Sequence, residues 1–188
     1  MMRRVSFLPV CAIVAAGVLA APAVAREMCG LETFLDEFRA GARHEGASAM
    51  CIALQGCSVF SPHVVGHRLK FMRDADKGQW RIRLSTPAPV DIGEGVVLKV
   101  DEGEEMRVPP EFLDEPPDGN GVVIRQEVAG VVMEALRKGH LLNWHYVRKD
   151  GKAADVSFPV TSLRPMLDWA DCTERTLNDM ARKVMKGR

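Results

Sequence analysis

The N-terminal segment constrains this chain most, because it decides in which compartment, and with which cysteine chemistry, the chain folds. Arg3 and Arg4 precede an almost wholly apolar run, and the small residues Ala23 and Ala25 follow it at the spacing that a signal peptidase reads. A membrane anchor needs about 20 apolar residues and no cleavage site. We therefore predict a cleaved signal peptide over residues 1–25 and a periplasmic or secreted mature protein.

The predicted mature chain retains the cysteines Cys29, Cys51, Cys57 and Cys172. An even number of cysteines in an oxidising compartment indicates disulfides, although this set allows more than one pairing. We favour Cys51 with Cys57 and Cys29 with Cys172. The first bridge needs a bend that brings the two Cα atoms within about 7 Å, and Gly56 provides a place for it. The second bridge would join the start of the chain to its last helix.

Composition excludes some functions. The 188 residues are about one domain's worth of sequence, and 47% hydrophobic with 27% charged residues is typical of a globular domain. Lys and Arg total 25, as do Asp and Glu, so no basic excess attracts phosphates. Aromatic residues make up only 6%, which leaves few rings for stacking bases. We predict one domain over residues 26–188 that does not bind nucleic acid.

Short segments of alternating apolar and polar residues dominate the mature chain. The clearest is a β-hairpin over residues 67–85, which turns at residues 74–78 and carries its cations on one face. The other predicted strands cover residues 96–100, 105–108, 122–128, 142–146 and 155–160. Strands and long helices do not alternate regularly. We therefore predict a mainly β domain, an antiparallel β-sandwich or barrel-like fold with short flanking helices and a C-terminal helix.

Other segments have helical periodicity. Apolar residues at positions i, i+3, i+4 and i+7 predict an amphipathic helix over residues 31–43. A shorter helix is predicted over residues 131–138, with Gly139 as its C-terminal stop. Apolar spacing also predicts a helix that reaches the C-terminus, whose last part, residues 171–188, is a basic helical tail. Such a tail is a candidate for peripheral contact with an acidic membrane surface.

The hairpin cations have two interpretations. They are Arg68, Lys70, Arg81 and Arg83. In one interpretation they form an anion-binding face, which gathers an acidic polymer or a lipid head group. In the other, which is the commoner role of charges on hairpins, they keep a solvent face hydrated and prevent edge-to-edge pairing.

The residue types that hold metals or perform catalysis are present without a convincing arrangement. The residues closest to a zinc set are Cys51, Cys57, His63 and His67. The interval between the second cysteine and the first histidine is shorter than in zinc fingers, and the compartment favours disulfides. No serine lies in a Gly-x-Ser-x-Gly elbow, and His140 and His145 fall on opposite faces of a strand. We predict no metal, no cofactor and no catalytic residue.

Several segments resemble the invasion-associated locus B family of exported alphaproteobacterial proteins. They are MCIALQ (residues 50–55), LSTPAPV (84–90), GVVLKVD (95–101), MEALRKG (133–139) and PVTSL (159–163), so that the resemblance covers residues 49–170. It implies a β-sandwich, a periplasmic or envelope location, no known catalytic residues and, for some members, a part in host-cell invasion. The family's N-terminal cysteine pair would imply a bridge between Cys29 and Cys51.

These observations predict a non-catalytic exported protein that binds a protein or another component of the envelope or the host. One alternative is a periplasmic hydrolase or metal-dependent enzyme whose site is not recognised from sequence, and another is an inhibitor-like module for an envelope enzyme. A cleft with convergent histidine and acidic side chains would favour the enzyme. A contiguous exposed apolar patch would favour the binding protein.

We expect the exported protein to begin at Arg26, because the small residues before it match the signal peptidase site. N-terminal sequencing of the exported fraction checks this. Replacement of Ala23 and Ala25 by leucine should block cleavage and leave a longer precursor. Recovery of the unaltered chain with an intact Met1 from the cytosol would contradict the prediction.

Overall fold

The computed structural model describes residues 25–36 and 38–187. The predicted signal peptide, apart from its last residue, lies outside the described residues. The strands are β1 (Ala25–Met28), β2 (Leu31–Asp36), β3 (Arg39–His44), β4 (Ala47–Ile52), β5 (Gly56–Phe60), β6 (Arg68–Asp74), β7 (Trp80–Ser85), β8 (Val96–Val100), β9 (Glu105–Val108), β10 (Leu113–Asp114), β11 (Gly121–Ile124), β12 (Leu141–Val147) and β13 (Ala153–Pro159). The helices are α1 (Gln126–Lys138) and α2 (Leu163–Lys186).

The strands form two antiparallel sheets. The larger sheet has the order β1-β2-β3-β4-β5-β6-β7-β11-β10, and the smaller sheet has the order β13-β12-β8-β9. Most neighbours in the larger sheet are also consecutive in the chain, as in a meander of hairpins. The prediction of a mainly β, antiparallel fold with a C-terminal helix is confirmed, and neither sheet closes into a barrel.

The helices cover one face of the larger sheet, which we call the inner face. Helix α2 packs against β3, β4 and β5, and α1 packs against β7. The inward side chains of β3 and β4 are small and buried: Ala40, Ala42, Ala47 and Ala49. Alanine side chains leave room for a helix to lie close to the strands. The opposite, outer face of the same strands is free of helices.

Helix α2 is also held by a covalent and a polar contact to the N-terminal strands. Cys172 forms a disulfide with Cys29, with a Cα–Cα distance of 5.9 Å. The buried indole Nε1–H of Trp169 donates a hydrogen bond to Thr33 Oγ1 over 2.9 Å. The first strands are therefore fixed to the last helix.

The second disulfide lies within one hairpin. Cys51 and Cys57 are directly paired residues of β4 and β5, and their Cα atoms are 4.1 Å apart. Both disulfides are those that we favour from the sequence. The bridge between Cys29 and Cys51 that the family resemblance implies is not formed, since each of these cysteines pairs elsewhere.

The predicted helix over residues 31–43 is wrong. The segment forms β2 and β3, which pair with each other. Thr33, Ala40 and Ala42 point to the inner face, whereas Phe34 points outward and is 52% exposed. The apolar residues that fit a helical period are thus divided between the two faces of a sheet, because pairing with β1 and β4 satisfies the backbone.

The boundaries of the later elements also differ from the prediction. The predicted strand over residues 122–128 is too long, because β11 ends at Ile124 and α1 begins at Gln126. The buried residues of α1 recur at helical spacing: Ala129, Val132, Met133 and Leu136. The predicted C-terminal helix is confirmed as α2, which passes without a break through residue 171 into the predicted tail. The hairpins β6–β7 and β12–β13 are confirmed.

We expect the disulfides to contribute unequally to stability. Replacement of Cys29 and Cys172 by alanine should lower the free energy of unfolding by about 5 kcal/mol, because that bridge spans 143 residues of chain. The same change at Cys51 and Cys57, which are 6 residues apart, should cost about 2 kcal/mol. Guanidinium chloride unfolding of the oxidised proteins measures both. A larger loss from the short loop would contradict this expectation.

Candidate functional site

The outer face of the larger sheet carries several apolar side chains among its polar ones, although no helix covers it. A row of directly paired residues crosses it from β2 to β7: Phe34, Gly41, Met50, Ser58, Met72 and Arg81. Phe34 is 52% and Met50 is 51% exposed. Open faces of antiparallel sheets normally carry polar side chains. The row therefore marks this face as a candidate binding surface.

A groove of about 500 Å³ runs along β5 on this face, and we call it the β5 groove. It is lined by Met50, Ile52, Ser58, Phe60, Lys70 and Met72. Its walls stand on β4 and β6, which are separated by two strand spacings, about 10 Å. The volume lies within the range of small-molecule sites, about 300–1,000 Å³.

The floor of the groove lies low because its residues have small side chains, and at one of them the backbone leaves no room for a side chain. Gly56 has a φ of +104°, and a Cβ atom there would collide with the carbonyl oxygen of Arg73 on β6. Ser58 is the next outward residue of β5. The disulfide between Cys51 and Cys57 crosslinks β4 and β5 on the inner side and fixes the floor from below.

The predicted cations all belong to the outer face, but their environments differ. Arg83 forms an ion pair with Asp118. The guanidinium carbon of Arg68 lies 4.6 Å from the ring centroid of Phe60. Within the described residues, no carboxylate forms an ion pair with Lys70 or with Arg81. Lys70 Nζ instead lies 5.4 Å from the ring centroid of Phe60, and Arg81 is near enough to Asp114 to help lower the pKa of that carboxyl.

The charge on Lys70 is not compensated by its surroundings. Burial lowers the pKa of the Lys70 ammonium below its ordinary value, and the Arg83 guanidinium, on the directly paired residue of β7, lowers this pKa further. An anion placed beside Lys70 would oppose both effects. A negative group bound here would thus stabilise the charged form of Lys70.

The protection of a sheet edge does not explain these cations. Strand β6 pairs with β5 and β7, and β7 pairs with β6 and β11. Both strands are interior, so that they present no free backbone edge. The part of that interpretation in which the cations prevent edge-to-edge pairing is therefore wrong for this hairpin, and the part in which they keep a solvent face hydrated stays a prediction.

A second cavity, lined by both polar and apolar residues, adjoins the open end of the β5 groove, and we call it the C-terminal cavity. It has a volume of about 610 Å³ and shares Ile52 and Leu54 with the groove. Its other apolar lining residues include Phe38, Val184 and Met185. The amide N–H of Leu54 donates to Asn178 Oδ1 over 2.7 Å, which fixes the β4–β5 turn against α2. The two cavities are therefore neighbours at this turn.

The histidines do not form a comparable site. His145 Nδ1 lies 2.8 Å from Asp155 Oδ1 on the smaller sheet, and His140 instead lies 3.5 Å from Asp101. In the part of the chain that the structure describes, no serine, threonine or cysteine bonds to His145. A histidine and a carboxylate without an adjoining nucleophile do not make a hydrolase triad.

The four residues closest to a zinc set are not brought together as ligands. Cys51 and Cys57 are joined in a disulfide. His67 is buried and its Nε2 lies 2.7 Å from the Tyr146 hydroxyl, whereas His63 is exposed. Over residues 25–36 and 38–187 there is no group of three or more histidine, cysteine or acidic residues that could hold a metal ion.

Comparisons with known proteins leave the geometry as the main guide to function. No family model, curated protein or solved structure matches the chain. None of the helices in the described residues is long and apolar enough to cross a membrane. The groove and its charges therefore carry the functional argument.

We expect Arg83→Gln to raise the pKa of Lys70, since it removes a neighbouring positive charge and frees the Asp118 carboxylate. The pKa should remain below its ordinary value, because burial, the larger cause, persists. A ¹³C NMR titration of the lysine side chains measures the change. Arg107→Gln, an exposed position on β9 in the smaller sheet, is the matched control. An unchanged Lys70 pKa in Arg83→Gln would contradict the electrostatic description.

Proposed function

We propose that this chain is an exported, non-catalytic protein that binds an envelope or host component in the β5 groove. The observation that carries the proposal is an exposed groove with apolar walls on interior strands, beside Lys70 and Arg81, with which no carboxylate of the described residues forms an ion pair. Exposed contiguous apolar surface on a soluble domain usually marks an interaction site. Apolar residues and a few placed charges are also the usual lining of such sites.

Two further observations support export and binding. The disulfides are compatible with an oxidising compartment outside the cytoplasm. One of the segments that resembles the invasion-associated locus B family, residues 50–55, supplies the wall of the groove and its open end. The resemblance extends the proposal to a part in host-cell invasion, with the groove as the contact surface.

The proposal is preferred over an enzymatic function because of where the convergent groups lie. The pair of His145 and Asp155 is on the smaller sheet, and no nucleophile bonds to it within the described residues. Among the described residues no histidine lines the β5 groove, and Lys70 and Arg81 at one end of it are suited to binding an anion, whereas Asp74 and Asp76 line its other, open end. A binding protein needs only these features.

Photo-crosslinking in the native cells tests the proposed site. A photoreactive amino acid at Ser58 should capture a specific envelope or host component, because this position is the floor of the groove. The same amino acid at Val131, which is 63% exposed on α1, is the matched control. Met50→Ser with Met72→Ser should abolish the adduct by removing the apolar walls, and Val131→Ser should not.

Failure would also be clear. Adducts that are absent at position 58, or identical at positions 58 and 131, would contradict a binding site in the groove. Persistence of the adduct after both methionine replacements would show that the groove walls do not bind the component.

A further inference from the structure

We propose that the ligand of the β5 groove is a single-chain anionic amphiphile, a long-chain carboxylate. Its carboxylate would lie between Lys70 and Arg81, and its hydrocarbon chain would follow the groove toward the C-terminal cavity. This inference rests on the proposed function and specifies its ligand. It draws on the positive charge of Lys70 and Arg81, on the width of the groove, and on the residues Ile52 and Leu54 that line both cavities.

The head-group position follows from the register of β6 and β7. Lys70 is directly paired with Arg83, and Arg81 is directly paired with Met72 on the same face. Lys70 and Arg81 are therefore diagonal neighbours, with about 7–8 Å between their Cα atoms. Their long side chains can reach one carboxylate from both sides. The nearby Asp114 is bound to Arg125 over 2.6 Å. Its negative charge is shared between Arg125 and Arg81, and no carboxylate of the described residues forms an ion pair with Lys70, so that an added anion would balance the remaining positive charge.

The tail position follows from the apolar residues beyond the head group. Met72 and Met50 face each other across Ser58, and Ile52 and Leu54 continue the apolar lining past the end of β5. Methionine side chains adapt to a flexible chain. With wall strands about 10 Å apart, the side chains leave room for one hydrocarbon chain rather than two.

Two other occupants agree less well with the surface. An anionic bilayer would approach Asp74 and Asp76, which line the open end of the groove, and would be repelled by them. An added peptide strand needs free backbone groups at a sheet edge, whereas β5 is paired on both sides. A single amphiphile places its charge at the cationic end and its chain over the apolar residues.

Binding to the mature, oxidised protein tests the inference. Carboxylates of about 8 to 16 carbons, kept below micelle formation, are titrated by calorimetry, with primary alcohols of the same lengths as neutral probes. We expect affinity to rise about fourfold for each methylene that becomes buried, and to level off once the groove is filled. Carboxylates should bind at least tenfold more tightly than the matching alcohols.

Variants separate the head site from the tail site. Lys70→Gln with Arg81→Gln should remove the preference for carboxylates and leave alcohol binding unchanged. Met50→Ser with Met72→Ser should weaken both classes, because it removes the apolar walls. Arg107→Gln with Lys152→Gln, two exposed cations outside the groove, should change neither. Backbone NMR shifts of the unaltered protein locate the ligand without relying on any variant.

The possible outcomes distinguish this inference from the proposed function. Equal binding of carboxylates and alcohols, or NMR shifts outside the groove, would overturn it. Binding only to vesicles of anionic phospholipid would replace it with a membrane surface. Absence of carboxylate binding together with a protein adduct at Ser58 would overturn the ligand class and leave the groove as a binding site. Absence of both would overturn both proposals.

Discussion

The attachment of α2 to the inner face of the larger sheet is the contact on which the rest of the structure depends. The alanines of β3 and β4 allow the helix to lie close, and the disulfide between Cys29 and Cys172 fixes it to the first strands. The hydrogen bond from Trp169 to Thr33 leaves neither buried polar group unsatisfied. Because α2 covers only the inner face, the outer face of the same strands remains accessible.

A partly buried network of charges connects this helix with the sheet and with α1. Arg73 of β6 pairs with Asp171 and with Glu174 of α2, and Arg137 of α1 pairs with Asp171 as well. Burial raises the pKa of Glu174, and the positive charge of Arg73 opposes that rise. Removal of one partner would leave a charge buried without compensation. The inward side of β6 therefore carries the core residues Leu69 and Phe71 and ends in the structural charge of Arg73, whereas Lys70 and Met72 lie on its outward side.

The groove depends on the same packing. Because Gly56 has no side chain, the backbone of β5 can lie close to the carbonyl oxygen of Arg73 on β6. The disulfide between Cys51 and Cys57 holds β4 against β5. The floor is consequently rigid, whereas the methionine walls are adaptable. A fixed floor with mobile apolar walls is suited to ligands that vary in length.

The sequence by itself determined the fold class and much of its local structure. Alternation over residues 67–85 predicts a hairpin with its cations on one face, and the helical spacing after Leu163 predicts α2. These features depend on neighbours in the chain, so a local pattern is sufficient to find them. Only the tertiary structure decided that β2 and β3 take the place of the predicted first helix, that β6 and β7 are interior, and that no carboxylate of the described residues forms an ion pair with Lys70. Phe34, Met50 and Met72 belong to strands that are remote in sequence, and their shared face was decided when α2 covered the other side of the sheet.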